Sequence, residues 1–346
     1  MAKSNSTISI RDVAHEAGVS VSTVSRALNQ SGYVSAENRE RINNAVKKLH
    51  YVPNSVARSL VMHNTGIIGV IFPNISSPFL AGLAQGLEQE AAKHGYSVLS
   101  CYSKDDVAQE KEYARILRER RADGLIVMPA GSQQEHFEQY DGQIPVVFLI
   151  RGAEGGKQAG MVTPDNMEGS YRLTKYMIDK GHTKIALLAG NNGFSTAKER
   201  YHGYAAAMKA AGLDIREELI GYGGFTGEGG QKAMLSILQR TRPTAVLASS
   251  SLMCVGAMHV LNEKGLRIPD DISVCSFDGF DDSYLKYLLP PVGITSNRLP
   301  LKEMGQSAMQ MLFDKIQAEK NGEHTEAKHI TVQGIFDERG SVKSLK

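Results

Sequence analysis

Val13, Ala14 and Ala17, and then Val24, Ala27 and Leu28, recur at helical spacing on either side of Gly18. This pattern predicts two short amphipathic helices joined by a tight turn, the layout of a helix-turn-helix. Ser9 is placed to cap the first helix, with Asp12 at the reciprocal capping-box position, and Ser20 is placed to cap the second. Behind a further capping residue, Ser35, the positions Ile42, Ala45, Val46 and Leu49 predict a third helix. In the segment Tyr51 to Leu60 that follows, Pro53 is positioned to begin one or two more helical turns.

From Gly66 the period changes. Short apolar runs at Gly66–Phe72, Ser97–Tyr102, Gly124–Met128 and Pro145–Leu149 have the character of buried parallel strands. Segments of helical spacing lie between them, at Phe79–Lys93, Val107–Arg120 and Gln133–Tyr140. A second series begins near Asp165, with helices predicted at Met167–Lys180, Thr196–Ala211, Gly227–Gln239 and Leu252–Lys264. Its predicted strands are Lys184–Ala189, Ala245–Ser249 and Ile272–Phe277. Alternation at this rhythm implies an α/β chain, a small all-α headpiece followed by two doubly wound parallel-sheet lobes. No residue-level repeat and no low-complexity segment interrupts it.

The outward face of the second helix carries Val21, Ser22, Ser25 and Arg26, short groups plus one long cation. A helix that lies in a DNA major groove needs such a face, because bulky residues would hold it away from the base edges. The spacing by itself leaves plain core packing as an equal reading. Charge agrees with DNA binding without deciding it, since an excess of this size is common on small domains: the first 62 residues carry eight Lys or Arg against four acids, although the 346-residue chain has a net charge of only +2. Positive charge is therefore concentrated where phosphates would be met. Cys101, Cys254 and Cys275 are odd in number, far apart and set in apolar runs, so buried thiols in a reducing compartment are expected rather than a disulfide frame. The polar start has no signal-peptide core and no apolar run approaches membrane-spanning length, so a cytoplasmic protein with no membrane partner is expected.

Over residues 8 to 60 the phrases DVAHEAGVSVSTVSRALN, GYVS and YVPNSVARSL resemble the headpiece of the LacI/GalR family of bacterial repressors nearly position for position. The resemblance implies base reading by Val21, Ser22 and Arg26, and phosphate contacts from Ser20, Thr23, Ser25, Asn29, Tyr33 and Ser35. It also implies a hinge helix that orders on DNA, with Asn54, Ala57, Arg58 and Leu60 at the minor groove and Leu60 as an intercalating wedge. The remainder resembles the type I periplasmic-binding-protein fold that this family attaches to its headpiece. On that basis the headpiece spans 8–52, the hinge and linker 53–65, the effector-binding and dimerisation core 66–337, and a polar tail 338–346. The three crossings between lobes are placed near Thr163–Asp165, Pro291–Gly293 and Ala327–Lys328. The first lobe then holds about 66–163 and 293–326, and the second about 165–290 and 328–337.

The interlobe cleft is the expected effector site, since ligands of open α/β sheets collect at the carboxyl ends of strands. By resemblance, the effector residues are Asn74, Phe79, Arg151, Asp165, Arg200, Ser250, Ser251 and Asp278. For Asp165 a purely hinge-structural role is an equal reading, and Phe79 alternatively packs at a helix start. Two departures from the family pattern stand out. Ile150 occupies the place of an aspartate before Arg151, and Ser250-Ser251 replaces an Asn-Asp pair. Both remove carboxylates while Arg151 and Arg200 stay, which favours a sugar acid or sugar phosphate over an ordinary sugar. The same losses also fit a cleft that binds no small molecule strongly.

Catalysis finds little support. Gly152–Gln158 has one residue too few for a phosphate loop and Gln where Ser or Thr must meet magnesium. The glycine-rich Tyr222–Gly230 lacks dinucleotide spacing and reads as a surface loop. No G-x-S-x-G elbow and no H-E-x-x-H metal spacing occurs, so no catalytic residue, metal or cofactor is expected. The expected protein is a homodimeric transcriptional repressor that binds a pseudo-palindromic operator and answers to a small carbohydrate-type effector. The alternative is a regulator whose partner is another protein; an exported sugar-binding protein is disfavoured by the headpiece.

Overall fold

The computed structural model describes residues 8–29, 32–51, 64–74, 78–131, 144–152, 160–191, 193–280, 290–323 and 327–346. The predicted hinge residues Asn54, Ala57, Arg58 and Leu60 lie outside them, as does the predicted helix Gln133–Tyr140. The chain divides into two compact units, Met1–Thr65 and Gly66–Lys346.

The first unit contains α1 (Ile10–Ala17), α2 (Val21–Asn29) and α3 (Ala36–Leu49). Local chemistry sets their ends. Asp12 Oδ2 accepts the Ser9 backbone N–H at 2.8 Å, and these bonds from Ser9 hold the Asp12 carboxyl below its usual range. Ser20 Oγ accepts from Thr23 N at 3.2 Å, and Ser35 Oγ from Asn38 N at 3.3 Å, so all three predicted caps are in place. Gly18 closes α1 at φ +62°, where a side chain would be strained and would also meet the Arg41 guanidinium 2.4 Å away. The helices bury Val13, Ala14, Ala17, Val24, Ala27, Ile42 and Ala45, which are the predicted inward faces.

The second unit holds two six-stranded sheets. The first lobe is built on β1 (Ile67–Phe72), β2 (Ser97–Tyr102), β3 (Gly124–Val127), β4 (Val146–Leu149) and β5 (Gly160–Pro164), with helices α4 (Pro78–Lys93) and α5 (Val107–Glu119). The second lobe follows with α6 (Asn166–Asp179), β6 (Ile185–Ala189), α7 (Ser195–Ala210), β7 (Ile220–Tyr222), α8 (Gly227–Arg240), β8 (Ala245–Ala248), α9 (Ser251–Glu263) and β9 (Ser273–Ser276). The chain closes with β10 (Thr295–Arg298), α10 (Leu301–Lys320), β11 (His329–Val332) and β12 (Ile335–Asp337). Strand order is β11-β5-β4-β3-β1-β2 in one sheet and β12-β10-β9-β8-β6-β7 in the other. All described pairings are parallel except β10 with β12. The interior strands β3, β4, β6, β8 and β9 are buried throughout, as expected where helices cover both faces.

The first crossing lies where expected, at Asp165, but the other two move. β10 pairs Thr295 with Cys275 and Ser296 with Ser276, so residues 293–298 belong to the second lobe. β11 pairs His329 through Val332 with Met161 through Pro164, so that strand belongs to the first. The second crossing is therefore at Leu299–Pro300, after which α10 packs Met311 and Leu312 against Gly160 and Gly124 of the first sheet. The third is at Gln333–Gly334. Non-local strand pairing decides this, and apolar periodicity does not report it.

The expected polar tail is part of the second lobe. Ser341, fully buried, donates to the Val274 carbonyl at 2.6 Å and accepts the Thr295 N–H at 2.8 Å. Lys343 N donates to Ser273 Oγ at 3.0 Å, and Leu345 N to the Lys180 carbonyl at 2.8 Å. Cys254 and Cys275 are buried free thiols and Cys101 is half-buried; burial pushes the Cys254 thiol up to about 12. No described helix is long and apolar enough to cross a membrane.

Candidate functional site

In the first unit, the outer face of α2 is open. Val21 is 41% exposed, Ser22 and Arg26 are exposed, and Tyr33 is 87% exposed. Arg26 Nε rests on the Ser22 carbonyl at 3.3 Å, a weak tether that leaves the guanidinium's other donors available. Ser20 Oγ lies 2.8 Å from both Ser22 Oγ and Thr23 Oγ1, and Asn29 Nδ2 donates to Ser25 Oγ at 3.3 Å. A small polar row with one long cation thus lies along one helix edge. Ser35 Oγ, like Ser20 Oγ, also accepts the cap bond of the helix that follows it. Lys48 pairs with Glu16 at 2.6 Å and ties α3 to α1.

In the second unit, a cavity of about 70 Å³ opens between the lobes. Seven of the eight predicted effector residues line it: Asn74, Phe79, Arg151, Arg200, Ser250, Ser251 and Asp278. They come from the carboxyl ends of strands in both sheets and the helix starts that follow. Asp165 does not join them. Its carboxylate accepts the Glu168 N–H at 3.0 Å and caps α6 at the first crossing, so the structure supports its hinge role.

Arg200 and Asp278 form the buried floor, 4% and 6% exposed. Arg200 Nη1 is 3.5 Å from Asp278 Oδ1 and donates to the Ser249 carbonyl, while Nε donates to Asn166 Oδ1 at 2.9 Å. The guanidinium lies 3.7 Å from the centre of the Phe277 ring and 5.6 Å from that of Phe225. Burial pushes the Asp278 carboxyl above its usual range, partly opposed by Arg200, and burial likewise pulls Arg200 down against the attraction of Asp278. Asp278 Oδ2 receives the Ser251 N–H at 3.4 Å, but Oδ1 accepts no hydrogen bond. Oδ1 is itself buried and faces the Arg200 guanidinium, so its charge is met by the ion pair rather than by a hydrogen bond.

Arg151 closes the opposite side. It follows β4 in the first lobe, pairs with Asp105 at 2.5 Å, and lies 3.8 Å above the ring of Phe194 in the second lobe. Gly152 N donates to Ser195 Oγ at 3.5 Å, a second contact between lobes. Ile150, where the family places aspartate, is buried at φ +68°, a conformation that a β-branched residue adopts only under strain. Ser250 serves as the N-cap of α9, accepting from Met253 N at 3.3 Å.

Sequence reasoning missed Asp105, Phe194, Thr196, Phe225 and Phe277. The signal for Phe225 was present in the Gly223-Gly224-Phe225-Thr226 loop, where the glycines bring a ring at φ +62° into the cavity. Phe277 ends a predicted strand beside Asp278, and the others meet the site through folding alone. Among the described residues, no cluster of His, Cys, Asp and Glu is arranged to hold a metal ion.

Two family models match the chain. Residues 9–54 match "Bacterial regulatory proteins, lacI family", and residues 65–338 match "Periplasmic binding proteins and sugar binding domain of LacI family". The HTH-type transcriptional repressor PurR of Pectobacterium carotovorum is 34% identical over 326 residues, covering 93% of this chain and 94% of that protein. The repressor of the same name from Pasteurella multocida is 35% identical, covering 89% and 91%. Among solved structures, a lac repressor dimer bound to operator and the anti-inducer ONPF superposes with TM-score 0.84 at 25% identity, covering 97% and 99%. A complex of the regulator CelR with cellobiose gives 0.72 at 29% identity, covering 96% and 99%.

Proposed function

This chain belongs to the LacI/GalR family of bacterial transcriptional regulators, a DNA-binding repressor and not an enzyme, and from that premise we propose that it is switched by a small, uncharged, carbohydrate-derived effector held between Arg200 and Asp278. As a homodimer, it presents two α2 faces to the half-sites of a pseudo-palindromic operator, with Val21, Ser22 and Arg26 reading base edges. Effector binding favours one lobe arrangement and so biases DNA binding.

One observation carries the effector class. Both cleft arginines already have carboxylate partners, Asp105 for Arg151 and Asp278 for Arg200, so the cleft has no unmatched positive charge for an acid or phosphate to neutralise. The preference for an anionic ligand drawn from the two departures at Ile150 and Ser250-Ser251 therefore yields to a neutral one. The Thr196 and Ser251 hydroxyls and the Arg200–Asp278 pair suit vicinal hydroxyls, and Phe79 suits the apolar face of a sugar ring. The free space is about 70 Å³, far below the 300 Å³ or more of ordinary ligand sites, so the lobes must part to admit the effector.

A second reading rests on a different observation. Phe79 and Phe225 line the same cavity, and two aromatic faces also suit a planar heterocycle. A thermal-shift screen of neutral sugars, sugar acids, sugar phosphates and nucleobases separates these readings. Stabilisation by a neutral sugar, lost in Asp278→Asn, supports the proposal. Stabilisation by sugar phosphates or nucleobases alone overturns it.

A further inference from the structure

Arg172, on the second turn of α6, reaches out of its own helix. Its Nη2 donates to Asn297 Oδ1 at 2.7 Å and to the Gly334 carbonyl at 2.8 Å. Those two partners are far apart in sequence but equivalent in the fold. Asn297 lies near the end of β10, just before the second crossing at Leu299–Pro300, and Gly334 lies in the third crossing, between β11 and β12. α6 itself begins directly after the first crossing, at Asp165. One guanidinium therefore joins the second and third crossings to the helix that follows the first.

The surroundings are built to close limits. Asn297 is fully buried. A Cβ at Gly334 would stand 2.3 Å from its Nδ2, and one at Gly169 on α6 would stand 2.7 Å from the same atom. Any larger residue at either position would displace the amide that Arg172 grips. The clamp is not saturated, because Arg172 Nε and Asn297 Nδ2 are buried without a hydrogen bond, and the closest carboxylate oxygen to Nε is Glu168 Oε1 at 3.9 Å. Spare donors beside a pivot allow the contact to shift partners as the backbone turns, where a saturated network would resist.

We propose that Arg172 is a positioning residue that sets the angle between the lobes. It fastens the second and third crossings to the second lobe, through a helix packed on β8 and β10. Bending is then confined to the segments beyond its grip, Leu299–Pro300 and Gln333 on the side of the first lobe. Hinges are a few residues that absorb backbone rotation, and anchoring one end of each selects which residues those are. The lobe angle is the quantity through which a cleft ligand is felt elsewhere, so Arg172 acts on the switch without touching the cavity.

The test needs no effector. Spin labels are attached to full-length protein at Glu119→Cys on α5 and Glu263→Cys on α9, both exposed, in a Cys101→Ser background. Labelled chains are diluted with unlabelled ones so that only distances within a protomer are read. Pulsed dipolar spectroscopy on the parent is expected to give a narrow interlobe distribution, which Arg172→Met broadens or displaces. A merely structural arginine would lower the melting temperature and leave that distribution where it was, which overturns the proposal. Should Arg172→Met fail to fold, Arg172→Gln decides in the same way: a broadened or displaced distribution supports the clamp, and an unchanged one overturns it.

Discussion

Arg151 of the first lobe stacks its guanidinium 3.8 Å above the ring of Phe194 in the second, and this pair bridges the two lobes across the cleft. Asp105 fixes the arginine from its own lobe at 2.5 Å, so the cation is aimed before the lobes meet. A partly desolvated cation–π contact of this kind contributes about 1–2 kcal/mol. Arg151→Ala and Phe194→Leu are each expected to lower the urea midpoint, with a coupling of about that size in the double-mutant cycle. Strict additivity would show that the two side chains act separately. Solution scattering should also report a larger radius of gyration for Arg151→Ala.

Arg26 is the one long donor on the open face of α2. Arg26→Ala is expected to cost about 1–3 kcal/mol in operator affinity, with much less effect on random duplex. Titration of both DNAs by fluorescence anisotropy at matched salt checks this, and equal losses would reduce Arg26 to a phosphate contact.

Arg200 and Asp278 form a buried ion pair in the wall of the proposed effector site. Removing one partner of a buried ion pair strands the other charge, so Arg200→Ala should cost about 3–5 kcal/mol of stability as well as the effector response. The double variant Arg200→Met with Asp278→Asn should recover much of the stability and none of the response. Denaturant unfolding separates the two effects, and an effector response retained in the double variant would move the site elsewhere.

His182 links acid sensitivity to the chain terminus. It is 1% exposed, with Nδ1 3.0 Å from Thr244 Oγ1 and Nε2 3.0 Å from the Lys343 carbonyl. Burial holds its pKa below the usual 6.5, only partly offset by the Lys343 carbonyl. The unfolded chain therefore takes up this proton first, so stability is full above the usual value and falls as pH drops through the lower folded one. Unfolding midpoints should decline as pH falls through the usual histidine range and below it, and His182→Gln should flatten that decline. An equal slope in the variant would place the sensitive group elsewhere.

The headpiece could be read from sequence because its determinants are local. Ser9, Ser20 and Ser35 cap helices within three residues of themselves, and Gly18 is needed at a left-handed turn whatever surrounds it. The residues that line the cleft were named by resemblance to the family, and their gathering has a simple geometric reason. Asn74, Arg151, Ser250 and Asp278 follow strand ends, and parallel sheets bring those ends to one edge. Tertiary structure decided the rest. Thr-Ser-Asn-Arg in β10 and His-Ile-Thr-Val in β11 carry no mark of the sheet they join, since pairing depends on partners far away in sequence. The same holds for Ser341, which looks like a tail residue until Val274 and Thr295 surround it, and for Phe194 beneath Arg151. Periodicity along a chain records which face of an element is buried. The partner across that face is chosen by packing and hydrogen-bond satisfaction in three dimensions, and the lobe crossings and the Arg172 clamp exist only at that level.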